Sequence, residues 1–344
     1  MRDFAYTRVE AVAEATAQSA NGAVLLAGGT ELLNWLRLGI VDTDQVADIS
    51  RVDELRGIVR LGETLRVGAL TTLNEIGDSS LVQQDAPVLS QACLKAASAQ
   101  LRNLATIGGN VLQKTRCPYF RADAPGSKTM PWPCNKRVAD SGCAARESGY
   151  ARLALFGATE LCVATHPSDP AVALAVLDAR IEIIGRAQSR TLAMSDFLLS
   201  QQDARRLAAG RAGNEAVLEN RLEPGDVIVA FHIPLDAAAR SSAYLKVRER
   251  ASYEYAMVSA AVAVELDVAQ VRAVRIALGS VAQKPWRLTR AERALVGMRL
   301  ETTAINDALD AALAEASPPQ GNAFKVRLAR TAVHRTLMTA AGLA

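Results

Sequence analysis

LATIGGNVLQKTRCPYFRADAPGSKTMPWPCNKRVADSGCAARESGYARLALFGATELCVATHPSD, residues 104–169, holds four of the chain's five cysteines: Cys117, Cys134, Cys143 and Cys162. Its middle, residues 113–150, shows neither helical nor strand periodicity and is dense in Pro, Gly, Arg and Lys. About forty residues without regular structure are uncommon inside a domain unless something functional fixes them. Four thiols there suggest a bound metal centre. The glycine turn Thr106-Ile107-Gly108-Gly109-Asn110 leads into the loop, and His166-Pro167-Ser168-Asp169 closes it. The spacing C-x16-C-x8-C-x18-C has none of the short C-x-x-C knuckles typical of structural zinc. It therefore argues for iron–sulfur over zinc, with His166, four residues after Cys162, kept for a zinc alternative. Arg116, Lys136 and Arg137 add positive charge that eases thiolate formation, and amides near Gly142 are placed to donate to cluster sulfurs.

Outside this stretch the composition narrows the class. With 344 residues, half of them apolar, the chain is long enough for two or three domains. A net charge of +3, evenly spread, and only 4% aromatic residues argue against a nucleic-acid surface. No apolar run reaches the roughly 18 to 20 residues of a membrane span. The start MRDFAYTRVEAVAEA has no apolar signal core, so the expectation is a chain without its own export signal. That means cytoplasmic, or periplasmic by co-export with a signal-bearing partner. Clustered cysteines in a chain this long point to metal rather than to a secreted disulfide framework.

Upstream, residues 8–20 read as a helix, 23–27 as a buried strand, Gly28-Gly29-Thr30 as a tight turn and 31–38 as a helix. Strand, glycine turn, helix aims unpaired amides at one point, which suits phosphate; the bland reading is a plain turn. No Rossmann G-x-G-x-x-G is present. A strand at 46–49 and a hairpin of 58–61 with 65–68 follow, then helices over 70–76 and 88–104. Cys93 sits at an apolar helical position and reads as a core residue. Downstream come a helix at 169–178, a strand at 180–185, a short helix at 195–199, a polar connection at 201–218 and a strand at 226–233. After a linker at 234–240, three long strands (242–250, 256–265, 272–281) and helices near 288–296, 304–316 and 323–341 form an α+β unit.

The order of AGGTELL (residues 27–33), TIGGN (106–110) and Tyr244-Leu245-Lys246-Val247-Arg248 resembles the flavin-binding middle subunit of molybdenum hydroxylases. That family includes xanthine dehydrogenase, carbon monoxide dehydrogenase and aldehyde oxidoreductases. The cysteine insertion is similar to that of the flavin subunits of 4-hydroxybenzoyl-CoA reductase and, more so, of bacterial periplasmic aldehyde oxidoreductase. In both, the insertion carries an additional [4Fe–4S] cluster.

The resemblance implies an α+β chain with the FAD-binding fold of the vanillyl-alcohol-oxidase (PCMH) type. Two α/β subdomains, 1–60 and 61–233, would grip FAD, with the iron–sulfur loop inserted at 113–165. Residues 234–344 would form a C-terminal domain of a three-stranded antiparallel sheet and helices. The implied cofactor residues are Ala27, Gly28, Gly29, Thr30, Glu31, Thr106, Ile107, Gly108, Gly109 and Asn110, whose backbone amides would meet the diphosphate. Ser168 and Asp169 match the family's acidic pair beside the ribose or adenine; Asp169 also reads simply as a helix N-terminal charge. Lys246 matches a cation beside the flavin ring. Cys117, Cys134, Cys143 and Cys162 would ligate the [4Fe–4S] cluster.

The implied function is that of an electron-transfer subunit of a three-chain molybdenum aldehyde oxidoreductase. A large partner would hold the molybdenum cofactor and a small one two [2Fe–2S] clusters. Tyr253-Glu254-Tyr255 replaces acidic residues common near the flavin, which favours ferredoxin, quinone or oxygen over NAD as acceptor. Three rivals stay open: the flavin subunit of another molybdenum hydroxylase such as a 4-hydroxybenzoyl-CoA reductase, a stand-alone flavoprotein oxidase, and a zinc-stabilised four-cysteine scaffold.

Overall fold

Among the residues that the computed structural model describes (2–122, 130–186, 188–208 and 215–343), the strands form three sheets. Parts of the cysteine loop (123–129) and of the 201–218 connection (209–214) lie outside those residues. Ala5–Arg8 (β1), Val24–Leu26 (β2) and Gln45–Asp48 (β3) make a parallel sheet in the order β1-β3-β2. Parallel neighbours need crossovers, and the helices Val12–Ala20 and Leu32–Arg37 supply them. The sequence pattern does not anticipate β1, because all four of its residues are exposed and no alternation marks them.

Ile58–Leu61 (β4), Thr64–Gly68 (β5), Arg180–Ile184 (β6), Ser189–Ala193 (β7) and Val227–Pro234 (β8) form an antiparallel sheet, order β4-β5-β8-β6-β7. The β4–β5 hairpin turns at Gly62, whose φ of +59° lies in the left-handed region that glycine enters at no steric cost. The polar edge strand β7 again lacks an apolar signal. The helix expected over 88–104 is two: Pro87–Lys95 and Ala99–Arg102. The chain leaves the helix at Ala97 (φ +46°), and Ser98 Oγ caps the second piece by accepting from the Leu101 amide at 3.3 Å. Cys93 is buried in the core, as its helical position predicts.

Asp169–Val176 is a helix in which every residue is buried. Its run of Ala, Val and Leu is apolar on all sides, which suits a helix enclosed by other elements. It packs against Pro87–Lys95 on one side and the third sheet on the other. That sheet contains Ser242–Val247 (β9), Val258–Asp267 (β10), Gln270–Gly279 (β11) and Trp286–Arg287 (β12) in the antiparallel order β12-β11-β10-β9. It has four strands rather than three, because Trp286 and Arg287 pair with Leu278 and Ala277, a match too short for periodicity to reveal. β9 stops at Val247, short of the expected Arg250. The connection after it passes through Tyr253, a non-glycine residue with φ +49°.

The helices Thr289–Leu295, Thr302–Leu313 and Phe324–Ala340 close the third core around Val262, Val264, Ile276, Leu309 and Val333. The return limb of the cysteine loop is stitched onto this unit. Buried Lys325 donates to Leu153 O (2.7 Å) and Ser280 O (2.8 Å), and the Leu155 amide donates to Val281 O at 2.7 Å.

Candidate functional site

A cavity of about 500 Å³ is lined by residues from all three sheets. Ala27, Gly28, Gly29, Thr30 and Glu31 line it after β2; Thr106, Gly108, Gly109 and Asn110 line it from the second motif; Lys246, Tyr253, Glu254 and Tyr255 close it. Ile107 does not line it, being fully buried in the core beneath.

The two glycine motifs do different things. At the first, the amides of Gly28, Gly29, Thr30 and Glu31 have no hydrogen-bond partner among the described residues, so they are open to an anionic ligand. The second is no simple turn but the start of a short helix, Ile107–Val111, capped by Thr106 Oγ1. Its amides are already used. Ile107 donates to Thr71 O (3.0 Å), Gly108 to Ala69 O (2.9 Å), Gly109 to Thr106 Oγ1 (3.3 Å) and Asn110 to Thr106 O (2.8 Å). This motif therefore offers a bare glycine surface rather than the free donors expected of it. A Cβ on Gly109 would meet only Thr106 Oγ1, at 3.1 Å, and otherwise face open space. A Cβ on Gly28 would lie 1.7 Å from Leu104 O, so that glycine is required by contact between the two motifs. A long cradle floored by glycine and bordered by open amides fits the diphosphate of FAD.

Ser168 and Asp169 do not line the cavity; they hold residues that do. Ser168 Oγ caps the helix Asp169–Val176 by accepting from Ala171 (3.1 Å) and donates to Asn110 Oδ1 (2.6 Å). The Asp169 carboxylate takes the Lys246 ammonium at 2.7 Å and the Tyr244 hydroxyl, with the acid and the lysine almost fully buried. Burial pushes the Tyr244 phenol far up, so it stays a donor. Lys246 also donates to Lys95 O at 3.1 Å. The pair leaves a fixed, partnered cation on the cavity wall.

Glu31 does more than lend its backbone. Its carboxylate accepts from Arg116, from Arg121 (2.9 Å) and from Trp35 Nε1 (2.9 Å). The Arg116 guanidinium lies 4.5 Å from the centre of the Tyr255 ring. Burial pushes the Tyr255 phenol up to about 12, so it is neutral over the physiological range. Ser19, Leu222, Glu223 and Asp226 line the cavity as well; sequence reading missed them because Ser19 ends an ordinary helix, Val12–Ala20, and β8 and its approach carry only an ordinary strand pattern.

All four loop cysteines, with Lys136, line a second cavity of about 10 Å³, and all are free thiols. No group of three or more His, Cys, Asp or Glu among the described residues stands at metal-holding geometry, so the thiols share a wall without converging on a point. Burial pushes Cys117 up to about 12 and Cys162 up to about 11. Of the three cations expected beside the thiols, only Lys136 lines their cavity; Arg116 turns to Glu31, and Arg137 donates to Phe120 O (2.8 Å) and Leu38 O (3.1 Å). The Gly142 amide donates to Asn135 Oδ1 (2.9 Å), not to a sulfur. His166 is outside the thiol cavity. Its Nε2 faces Val111 O at 3.0 Å, and burial pushes it down to about 4, so it is a neutral core residue.

Lys136 is itself buried, donating to Ala216 O (2.6 Å) and Glu219 Oε1 (2.8 Å), while Lys114 meets Glu219 Oε2 at 2.9 Å. Burial alone would raise the Glu219 carboxyl, but the two lysines outweigh it and hold it down to about 2. A depressed carboxyl stabilises the fold above its unfolded value near 4.5, and that contribution is lost as pH falls toward 2. It amounts to roughly 3 kcal/mol. Thermal melts from pH 6 to 2 should show this fall in the native chain. Glu219→Gln should lack that component and be less stable at pH 7, where Lys136 loses its partner.

Comparison with known proteins agrees with this geometry. Residues 2–236 match the FAD binding domain in molybdopterin dehydrogenase, and residues 243–340 match the CO dehydrogenase flavoprotein C-terminal domain. The chain belongs to the FAD-binding subunits of the molybdenum hydroxylase family, and is thus an oxidoreductase subunit. Within that family it is 38% identical, over 99% of both chains, to the aldehyde oxidoreductase FAD-binding subunit PaoB of Escherichia coli K12. It is 28% identical to the carbon monoxide dehydrogenase medium chain of Hydrogenophaga pseudoflava, over 98% of this chain and 96% of that one. A solved structure of carbon monoxide dehydrogenase from that organism superposes with a TM-score of 0.74 at 26% identity, over 100% of this chain and 99% of the other. No helix among the described residues is long and apolar enough to cross a membrane.

Proposed function

We propose that this chain is the FAD-carrying electron-transfer subunit of a molybdenum-dependent aldehyde oxidoreductase. It would assemble with a large molybdenum-cofactor subunit and a small subunit bearing two [2Fe–2S] clusters. The observation that carries the reading is the meeting of both glycine motifs, Lys246 and the 253–255 tyrosines on one cavity of about 500 Å³. Similarity to a subunit named for aldehyde oxidoreductase supports the substrate class. In this reading residues 1–60 and 61–233 grip the dinucleotide, and 234–344 close over it with β9 and the segment behind it. FAD, when bound, accepts and gives electrons singly or in pairs. The chain's own residues do the rest. Gly28–Glu31 amides bind the diphosphate, the Gly109 surface admits it, and Asp169 keeps the Lys246 cation in place beside the ring. Tyr253 and Tyr255 shield the cavity on that side, which favours ferredoxin, quinone or oxygen over NAD as the external acceptor. The purified chain alone should bind FAD yet oxidise no aldehyde with dye acceptors, while the assembled complex does both; turnover by the lone chain would overturn the subunit reading.

The same reading gives Cys117, Cys134, Cys143 and Cys162 one [4Fe–4S] cluster. Four free thiols around one cavity are a suitable donor set. The cavity's volume of about 10 Å³ means that the loop must open to admit a cluster. After anaerobic reconstitution, about four irons per chain are expected. Cys134→Ser or Cys143→Ser should lose them, and Cys93→Ala should keep them. Stoichiometric zinc in the native chain would instead support the scaffold alternative.

A further inference from the structure

The segment between β9 and β10 forms the tyrosine wall of the flavin cavity, and both limbs of the cysteine loop hold it. From the outgoing limb, Arg116 stacks on Tyr255 at 4.5 Å and, through Glu31, joins the first glycine motif. Arg121 locks that arrangement by donating to Glu31 Oε2 and to Thr115 O at 3.0 Å. From the return limb, Arg152 meets Glu254 at 3.0 Å and Glu249 at 2.7 Å. Glu249 is exposed, so its share is small; Glu254 and Arg152 are both largely buried. Behind the wall, Arg248 donates to Lys95 O at 3.2 Å. The wall carries Tyr253 in the left-handed region, which a bulky side chain adopts only when its surroundings hold it there.

We propose that Arg116 and Arg152 are positioning residues of the flavin cavity: they fix its tyrosine wall to the two limbs of the cysteine loop, so that FAD affinity depends on the order of that loop. The inference rests on the reading that FAD fills this cavity. Linkage is reciprocal, so FAD must tighten the loop limbs by the factor with which an ordered loop tightens FAD. The dependence reaches the cysteines through Arg116, the immediate neighbour of Cys117.

The test uses the full chain stripped of flavin, with FAD titrated by fluorescence and hydrogen exchange followed with and without it. In the native chain, FAD should slow exchange at residues 28–31 and also in the limbs, 114–121 and 150–156. Arg152→Ala, at a residue that does not line the cavity, should bind FAD several-fold weaker and lose protection at 150–156 while keeping it at 28–31. Arg116 also lines the cavity, so Arg116→Ala/Arg152→Ala, about tenfold or more weaker, is read by its loss of protection in both limbs and not by affinity alone. Arg152→Lys should recover most of its own share, which a generic packing defect would not allow. Should the double variant not fold, Glu254→Gln removes one anchor without emptying volume and reads the same coupling. Affinity within about twofold of native in a folded variant, or FAD protecting 28–31 in the native chain while the native limbs exchange freely, would overturn the proposal. Protection at neither place would remove the cavity reading together with it.

Discussion

Gly28→Ala should leave the chain unable to retain FAD through gel filtration. The added methyl would sit 1.7 Å from the Leu104 carbonyl oxygen, about half a normal contact distance, and that oxygen belongs to rigid backbone. The two motifs must then move apart, and overpacking of this kind costs ~1–3 kcal/mol or more. The displacement falls on the amides that face the diphosphate, so affinity should drop by about a hundredfold or more, equivalent to ~3 kcal/mol. Gly109→Val is the informative partner. Its Cβ meets only Thr106 Oγ1, so the fold should persist while the valine methyls occupy ligand space. The absorbance ratio of flavin to protein, with a thermal melt on each variant, separates the two. Native flavin content in Gly28→Ala would sink the assignment of that motif.

Asp169→Asn should be the most destabilising single polar change near the cavity. The carboxylate and the Lys246 ammonium are 6% and 2% exposed and 2.7 Å apart. Removing one charge leaves the other buried without its counter-ion, typically ~3–5 kcal/mol. That is a large fraction of the ~5–15 kcal/mol by which domains are stable. Asp169→Asn/Lys246→Met should regain much of the loss in denaturant melts, because no charge then remains stranded. It should still bind FAD less tightly than the native chain, since the cavity has lost one of the two cations that line it among the described residues, Arg116 remaining. A double variant no more stable than Asp169→Asn would show that the aspartate acts by some route other than pairing with the lysine.

Much of this was legible in the sequence, for physical reasons that can be named. Adjacent glycines at the start of a helix mark both motifs, after a strand in the first and after a helix in the second, and loss of periodicity marks the cysteine loop. The same string could not tell that Gly28 also packs against the Leu104 backbone just ahead of the second motif. Nor could it tell that Thr71 and Ala69 already accept the amides of Ile107 and Gly108. Ion pairs across long separations were equally silent: Arg116 with Glu31 lies 85 residues apart and Lys246 with Asp169 lies 77 apart. Local patterns report what a residue needs from its neighbours in sequence, while these contacts exist only once sheets are stacked. The strands that were missed, β1, β7 and β12, are exposed or very short, and burial is what writes a period into a strand.

The helix Asp169–Val176 bears on how such a chain is made. It is apolar on every side, and part of its cover comes from β10 and β11, whose residues leave the ribosome almost a hundred positions later. Until they arrive, a nascent chain holding the flavin motifs presents a sticky rod that the earlier helix Pro87–Lys95 covers on one side only, the kind of surface chaperones attend. The helix also carries, at its first turn, the serine and aspartate that brace Asn110 and Lys246. Lys246 and the 253–255 segment are made after both glycine motifs, so the seat of Lys246 on Asp169 and the wall those residues form are complete only once the chain has passed them.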